Sequence, residues 1–173
     1  MNDSSGIFRT AALAAILVLS TTPMQANTQS RQLVDRANNY YPEDCEMGIR
    51  LLTEAMQIDS ANASAYFLRG SCYLMLAKPQ NAYKDFTSAI DLNPSDSYAW
   101  SQRGNALRDL GKYSLAIVDY SQAIRLNPQS GTLYTGRALL YQTIGNKVYA
   151  CNDLMRGADR GDEQAKQMSA KCL

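Results

Sequence analysis

Residues 99–128 read AWSQRGNALRDLGKYSLAIVDYSQAIRLNP, and residues 65–94 read AYFLRGSCYLMLAKPQNAYKDFTSAIDLNP. The two stretches share one pattern, and the offset between Tyr66 and Trp100 holds for every matching pair. The other pairs are Arg69/Arg103, Gly70/Gly104, Ala82/Ala116, Asp85/Asp119, Phe86/Tyr120, Ala89/Ala123 and Pro94/Pro128. Such self-similarity predicts a stack of repeats, because one short unit can bury its apolar face only against the next unit.

Two further copies flank this pair. A third copy begins at Gly131 and carries the same pattern at Tyr134, Arg137, Tyr141, Gly145, Ala150, Asp153 and Leu154. A degenerate copy lies upstream, where Gly48, Leu52 and Ala55 replace alanine, phenylalanine and alanine of the clear copies. We predict one domain over residues 27–173, with repeats at 29–62, 63–96, 97–130 and 131–162 and a capping helix at 163–173.

Each copy contains two patterns at helical spacing, which predicts an all-α fold of helix pairs. In the first clear copy these patterns are Tyr66, Arg69, Gly70 and Tyr73, followed by Ala82, Phe86, Ala89 and Ile90. Gly111 and Gly145 lie between the two helices of their copies, where a tight turn favours a residue free at positive φ. In the first clear copy, Pro79 instead opens the second helix. Asn-Pro ends two of the second helices, since a residue before proline disfavours the α conformation.

The N-terminal segment 1–26 differs from the repeats. Arg9 precedes an apolar run over residues 11–19, and small residues follow up to Ala26. This order is typical of a secretory signal, and the run is shorter than the roughly 20 residues that span a bilayer. We therefore expect cleavage after Ala26 and a mature chain in the periplasm, in the lumen of an internal membrane or outside the cell. A disordered or buried N-terminus is the alternative.

The repeat resembles the tetratricopeptide repeat (TPR) family from about Gln29 to the C-terminus. The residues that match the family pattern in order are Trp100, Gly104, Leu107, Gly111, Tyr113, Ala116, Tyr120, Ala123 and Pro128. The resemblance implies a right-handed superhelix, or solenoid, of stacked antiparallel helix pairs. With the secretory segment, it suggests an exported TPR protein of bacterial type. This chain differs from the family pattern at three positions, where it has arginine instead of leucine: Arg69, Arg103 and Arg137.

These arginines recur once in each copy at the repeat spacing, and so does an aspartate on the second helix. In an antiparallel pair, the two positions face each other. We predict a ladder of ion pairs that sets register rather than function, formed by Arg69–Asp85, Arg103–Asp119 and Arg137–Asp153.

The four cysteines show no C-x-x-C spacing, which argues against a zinc or thioredoxin-like site. An even number in an exported chain suggests disulfides. The repeat register selects Cys45–Cys72 and Cys151–Cys172, because each pair faces across neighbouring antiparallel helices. Each bond would staple one end of the solenoid. Four buried free thiols are the alternative.

The resemblance also implies a peptide-binding groove along the first helix of each repeat. The residues expected to line it are Phe67, Ser71, Leu74, Tyr98, Ser101, Asn105, Arg108, Thr135, Leu139 and Gln142, with Ser64 and Thr132 at further groove positions. Asn105 could grip a backbone amide, since its side chain both donates and accepts hydrogen bonds. A solvated face without a ligand is the alternative.

Composition narrows the function classes. The chain has no histidine, no phosphate-binding glycine loop and no nucleophile beside a base, so neither an enzyme nor a metal or cofactor site is expected. The net charge of +1 disfavours nucleic acid and offers no electrostatic anchor to a membrane surface. No stable membrane insertion is expected after signal cleavage. The remaining functions are binding of a partner protein or peptide as an assembly or scaffold factor, and self-association as a structural homodimer.

Overall fold

The computed structural model describes residues 22–172, and the regular structure of this range is entirely α-helical. Its nine helices are α1 Pro23–Asn38, α2 Cys45–Ile58, α3 Ala63–Met75, α4 Pro79–Leu92, α5 Ser97–Asp109, α6 Tyr113–Leu126, α7 Gly131–Thr143, α8 Lys147–Asp159 and α9 Glu163–Ser169. Consecutive helices pack into four hairpins, and each hairpin packs against the next. The predicted all-α solenoid is confirmed, and helix α9 closes it by packing on α8 and α7.

The two ends depart from the predicted bounds. Helix α1 begins at Pro23, with Thr22 accepting a hydrogen bond from the Gln25 backbone N–H, so its first turn lies inside the predicted signal segment 1–26. Residues 1–21 of that segment lie outside the described residues. Helix α9 ends at Ser169 instead of continuing to 173, because the chain then turns towards Cys172. No helix within residues 22–172 has the length and apolar character needed to cross a bilayer.

Polar caps and left-handed turns define the hairpins. The side chains of Asn62 and Asp96 accept hydrogen bonds from backbone N–H groups in the first turns of α3 and α5. Gly111 and Gly145 adopt φ of +72° and +79° between the helices of their hairpins, as predicted. Ala77 adopts φ of +52° at the equivalent point of the first clear copy. Pro79 does begin α4, but it does not replace the left-handed residue.

Aromatic rings fill spaces that glycines leave open between helices. The fully buried ring of Phe86 lies against Gly70, where an added Cβ would come within 2.9 Å of the ring. The ring of Tyr120 lies between two glycines. An added Cβ would come within 2.9 Å of this ring from Gly104 and would overlap it from Gly136. Because Gly136 belongs to the next hairpin, Tyr120 fixes the packing both within and between repeats.

The structure contains all three predicted arginine–aspartate pairs. In each pair, the arginine Nε and Nη2 donate to the two carboxylate oxygens at 2.7 and 2.8 Å. Each arginine also reaches back to the preceding hairpin, where its Nη1 donates to the hydroxyl of Thr53, Thr87 or Ser121. The hydrogen bond to the aspartate is the main cause that raises the pKa of each arginine. The ladder therefore joins neighbouring repeats as well as the two helices of one repeat.

The two predicted disulfides have different outcomes. The structure contains the Cys151–Cys172 bond, with an Sγ–Sγ distance of 2.01 Å, which holds the segment after α9 against α8. Cys45 and Cys72 are buried free thiols, so the predicted Cys45–Cys72 bond is wrong. The Cys45 Sγ instead lies 3.7 Å from the Pro42 carbonyl oxygen and 3.9 Å from the Met75 Sδ. Burial, and then the nearby Cys45 thiol, raises the pKa of Cys72 to about 12.

Candidate functional site

The first helices of successive hairpins line a row of cavities. The N-terminal pocket, as we call the first of these, is a cavity of about 340 Å³. Helix α1 contributes Val34, Asp35 and Asn38, helix α3 contributes Ala63, Ser64, Phe67 and Leu68, and the α4–α5 junction contributes Ala89, Asn93 and Asp96. An adjoining cavity of about 400 Å³ shares four of these residues and extends to Arg31 and Asp59. The pocket therefore combines an apolar wall with a polar rim.

The central pocket is a cavity of about 230 Å³ that uses six equivalent positions one repeat later, with the following first helix α7 taking part instead of the preceding first helix. It is lined by Ser97, Tyr98, Ser101, Gln102, Asn105, Tyr120, Asn127, Ser130, Thr132 and Leu133. Ser101 and Gln102 occupy the places that Phe67 and Leu68 have in the N-terminal pocket, and Ser130 occupies that of Asp96. The two pockets thus share part of their lining at equivalent positions of successive repeats, with different chemistry.

Six of the twelve predicted groove residues line these two pockets. Ser64 and Phe67 contribute to the N-terminal pocket, while Tyr98, Ser101, Asn105 and Thr132 line the central one. Tyr98 is 67% exposed and is free to contact a ligand. Asn105 is partly engaged, since its Oδ1 accepts from the Tyr120 hydroxyl at 2.7 Å and its Nδ2 donates to the Gln102 Oε1. This bonding reduces its predicted capacity to grip a backbone amide.

The other six predicted groove residues lie outside both pockets. Thr135 is the clearest error, because it is buried and its Oγ1 lies 3.0 Å from the Oδ1 of Asp162, which caps helix α9. Leu74 packs on the cluster around Phe86. Ser71 donates a hydrogen bond to the Phe67 carbonyl oxygen, and Arg108 forms an ion pair with Asp109. Leu139 is half-buried. Gln142 lines a separate cavity beside Cys151 and Cys172.

Sequence reasoning missed the contributions of α1 and of the loops between repeats. The repeat pattern does not identify Asp35, because the upstream copy lacks the aromatic residue and the paired glycine that set the register elsewhere. Asn93 and Asn127 recur at the repeat spacing and could have been found by it. The groove pattern covers the first helices alone and therefore omits both asparagines.

The pockets offer recognition by shape, hydrogen bonding and charge. No group of three or more candidate metal-ligating side chains occurs within residues 22–172. Burial is the main cause that raises the pKa of Tyr120, so its hydroxyl stays protonated and donates to Asn105 at neutral pH. The described arrangement can hold an extended chain, with side chains in the pockets and amides near the asparagines.

Comparisons with known proteins place this geometry in a family. Two sequence profiles, both described as tetratricopeptide repeat, match residues 63–96 and 97–130. No curated protein sequence matches the chain. The crystal structure of MamA is 23% identical, with a TM-score of 0.73, and the match covers 79% of this chain and 81% of that chain.

Two domains of RPAP3 are similar at higher identity. The first TPR domain of human RPAP3 is 27% identical with a TM-score of 0.67, and the match covers 69% of this chain and 94% of that chain. The second TPR of Spaghetti (RPAP3), bound to the HSP90 peptide SRMEEVD, is 35% identical with a TM-score of 0.58, and the match covers 60% of this chain and 96% of that chain. Together with the repeated hairpins, these matches show that the chain belongs to the tetratricopeptide repeat family of protein-interaction modules.

Proposed function

We propose that this protein is a non-enzymatic scaffold or assembly factor that holds an extended segment of a partner protein along its first helices. The observation that carries the proposal is the occurrence of two related pockets one repeat apart, which share six equivalent positions and lie between α1 and α3 and between α5 and α7. An extended peptide can present successive side chains to such a row, whereas a small molecule would occupy one pocket. The peptide-bound RPAP3 domain supports this use of the fold.

We further propose that the protein acts in an exported compartment. The order of charge, apolar run and small residues in segment 1–26 supports this placement, and the Cys151–Cys172 disulfide is consistent with an oxidising environment. Intact-mass analysis of the protein from its native cell tests the proposal. A mature chain that begins near Asn27 is expected, and a full-length cytosolic chain would contradict it.

Peptide selection tests the binding function directly. The full folded chain is used to select ligands from a random linear-peptide library, and selected peptides are then measured by calorimetry. We expect Tyr98→Arg to abolish binding, because the exposed Tyr98 ring lines the central pocket and a bulky cation would obstruct it. A matched control is Leu115→Arg on helix α6, which lines neither pocket and should bind as the wild type does.

Self-association is the second candidate function. Large apolar side chains are exposed on the outer sides of α6, α8 and the preceding turn, namely Leu115, Val118, Ile144, Val148, Tyr149 and Met155. Light scattering distinguishes the two functions. A dimer that Leu115→Arg with Tyr149→Arg converts to a monomer, with no peptide selected, would favour the structural homodimer. A monomer that binds peptide through Tyr98 would favour the interaction module.

A further inference from the structure

We infer that the N-terminal pocket selects a lysine or arginine of the bound segment, next to an apolar residue. The inference rests on the proposed peptide-binding function and names the chemistry of its ligand. The cavity of about 340 Å³ can accept a long side chain. Its wall is apolar at Val34, Phe67 and Leu68, which suits both a hydrophobic neighbour and the methylene stem of a basic residue.

Two carboxylates face this cavity from different elements. Asp35 lies on α1, is exposed, and has no hydrogen-bond or ion-pair partner within residues 22–172. Asp96 caps α5 with one oxygen, since its Oδ1 accepts the backbone N–H groups of Tyr98 and Ala99, and its Oδ2 has no partner in the same range. Each carboxylate therefore retains an oxygen that can accept a hydrogen bond from an incoming cation.

The remaining charges near the pocket preserve its negative sign. The adjoining cavity adds the carboxylate of Asp59 and the guanidinium of Arg31, which offset each other in formal charge. The N-termini of helices α3 and α5 each contribute a partial positive charge of about half a unit, and together these are less than the two full negative charges of Asp35 and Asp96. A cation is favoured over an anion in this cavity.

The central pocket provides an internal contrast. None of its lining residues carries a charge, and Ser130 stands where the N-terminal pocket has Asp96. A peptide that spans both pockets would thus meet an acidic, apolar-walled site at one end and a neutral polar site at the other. Charge would select the residue at the first site and fix the position of the segment along the groove.

The acidic peptide bound by the RPAP3 domain can serve as a negatively charged ligand that this pocket should disfavour. The sequence SRMEEVD carries three acidic side chains and one basic one. We expect this protein to bind it more weakly than a variant in which the glutamates are replaced by lysines. Two partly exposed ion pairs correspond to a preference of about tenfold at low salt, which added salt should reduce.

The test uses the full chain and the selected peptides described above. Peptides selected by the wild type should be enriched in lysine or arginine beside an apolar residue. In the variant Asp35→Asn with Asp96→Asn, that enrichment should disappear, and affinity for a selected basic peptide should fall by about tenfold. Asparagine caps a helix about as well as aspartate, so the fold is expected to persist, and thermal unfolding verifies this.

A charge-matched control separates pocket chemistry from net charge. Glu54→Gln with Asp91→Asn removes two exposed carboxylates on second helices, neither of which lines a pocket, and it should leave binding unchanged. Selection of peptides without basic enrichment, or wild-type affinity in the Asp35/Asp96 variant, would overturn the inference. If Tyr98→Arg still abolishes binding in that case, the proposed function survives. If Tyr98→Arg also has no effect, both fail.

Discussion

Repeats 63–96 and 97–130 use one backbone plan with different side chains at the places that matter. Where the first has Phe86, the second has Tyr120, whose hydroxyl donates to Asn105. Where the second has Gly111 in the left-handed turn, the first has Ala77. The fold therefore accommodates such exchanges at individual positions while the glycine–ring packing and the arginine–aspartate pair remain in both repeats.

The largest expected effect concerns the pair that both repeats share. Arg103→Leu should lower the free energy of unfolding by about 3 kcal/mol, because it leaves the buried Asp119 carboxylate without its partner. Arg69→Leu should cost less, since the Arg103 guanidinium also stacks on the Trp100 ring at 4.7 Å, whereas the Arg69 guanidinium lies 5.9 Å from the Tyr73 ring. Urea unfolding measures both. The double variant Arg103→Leu, Asp119→Leu should recover most of the loss, and a fully stable Arg103→Leu protein would contradict the role of the ladder.

The next effect concerns the Tyr120 ring, which contacts a glycine of the following repeat, in comparison with the Phe86 ring one repeat earlier. Gly136→Ala should destabilise the protein by about 2 kcal/mol, because the new Cβ would overlap the Tyr120 ring. Gln102 occupies the equivalent position one repeat earlier, so Gln102→Ala is the matched control and should cost about 0.5 kcal/mol. Thermal and urea unfolding provide the comparison. Equal stability of the two variants would mean that the inter-repeat contact of Tyr120 is not specific.

The hydroxyl of Tyr120 should have a smaller effect. Tyr120→Phe makes this repeat resemble the preceding one and should cost about 1 kcal/mol, the typical contribution of one hydrogen bond. Asn105→Ser, which copies Ser71 at the equivalent place, should cost a similar amount. A double-mutant cycle measures the coupling between them. Strictly additive losses would show that the bond at 2.7 Å contributes no coupling energy.

The smallest effect concerns the turn. Ala77→Gly should stabilise the protein by about 0.5 kcal/mol, since relief of the left-handed strain is partly offset by the greater freedom of glycine in the unfolded chain. Gly111→Ala should destabilise it by a similar amount. A Cβ at Gly111 would meet no atom within 4 Å, so only its φ is at issue. Opposite shifts in melting temperature are expected, and shifts of the same sign would contradict the argument.

Much of the fold was predictable because its determinants recur. The constant spacing of Arg-Gly, alanine and aspartate identified the helix pairs, and the Asn-Pro pairs at Asn93 and Asn127 predicted where α4 and α6 end. The site was predicted less well. Thr135 follows the same spacing as groove residues, yet it is buried because α9 packs on that face of α7 and places Asp162 beside it. A repeat pattern describes an interior repeat and cannot describe a last repeat that has a cap.

Local spacing and the contacts within one unit and its neighbour are enough to specify the repeating unit, its length, its two helices and the residues that hold them together. Which side chains line the pockets depends instead on how separate helices pack in three dimensions. Asp35 joins Phe67 and Asp96 across three elements, although the degenerate copy gives no register for α1. Tertiary packing also left Cys45 and Cys72 as neighbouring thiols instead of a bond. The physical reason is that a cavity or a sulfur–sulfur bond depends on the relative placement of separate helices, which periodicity does not encode.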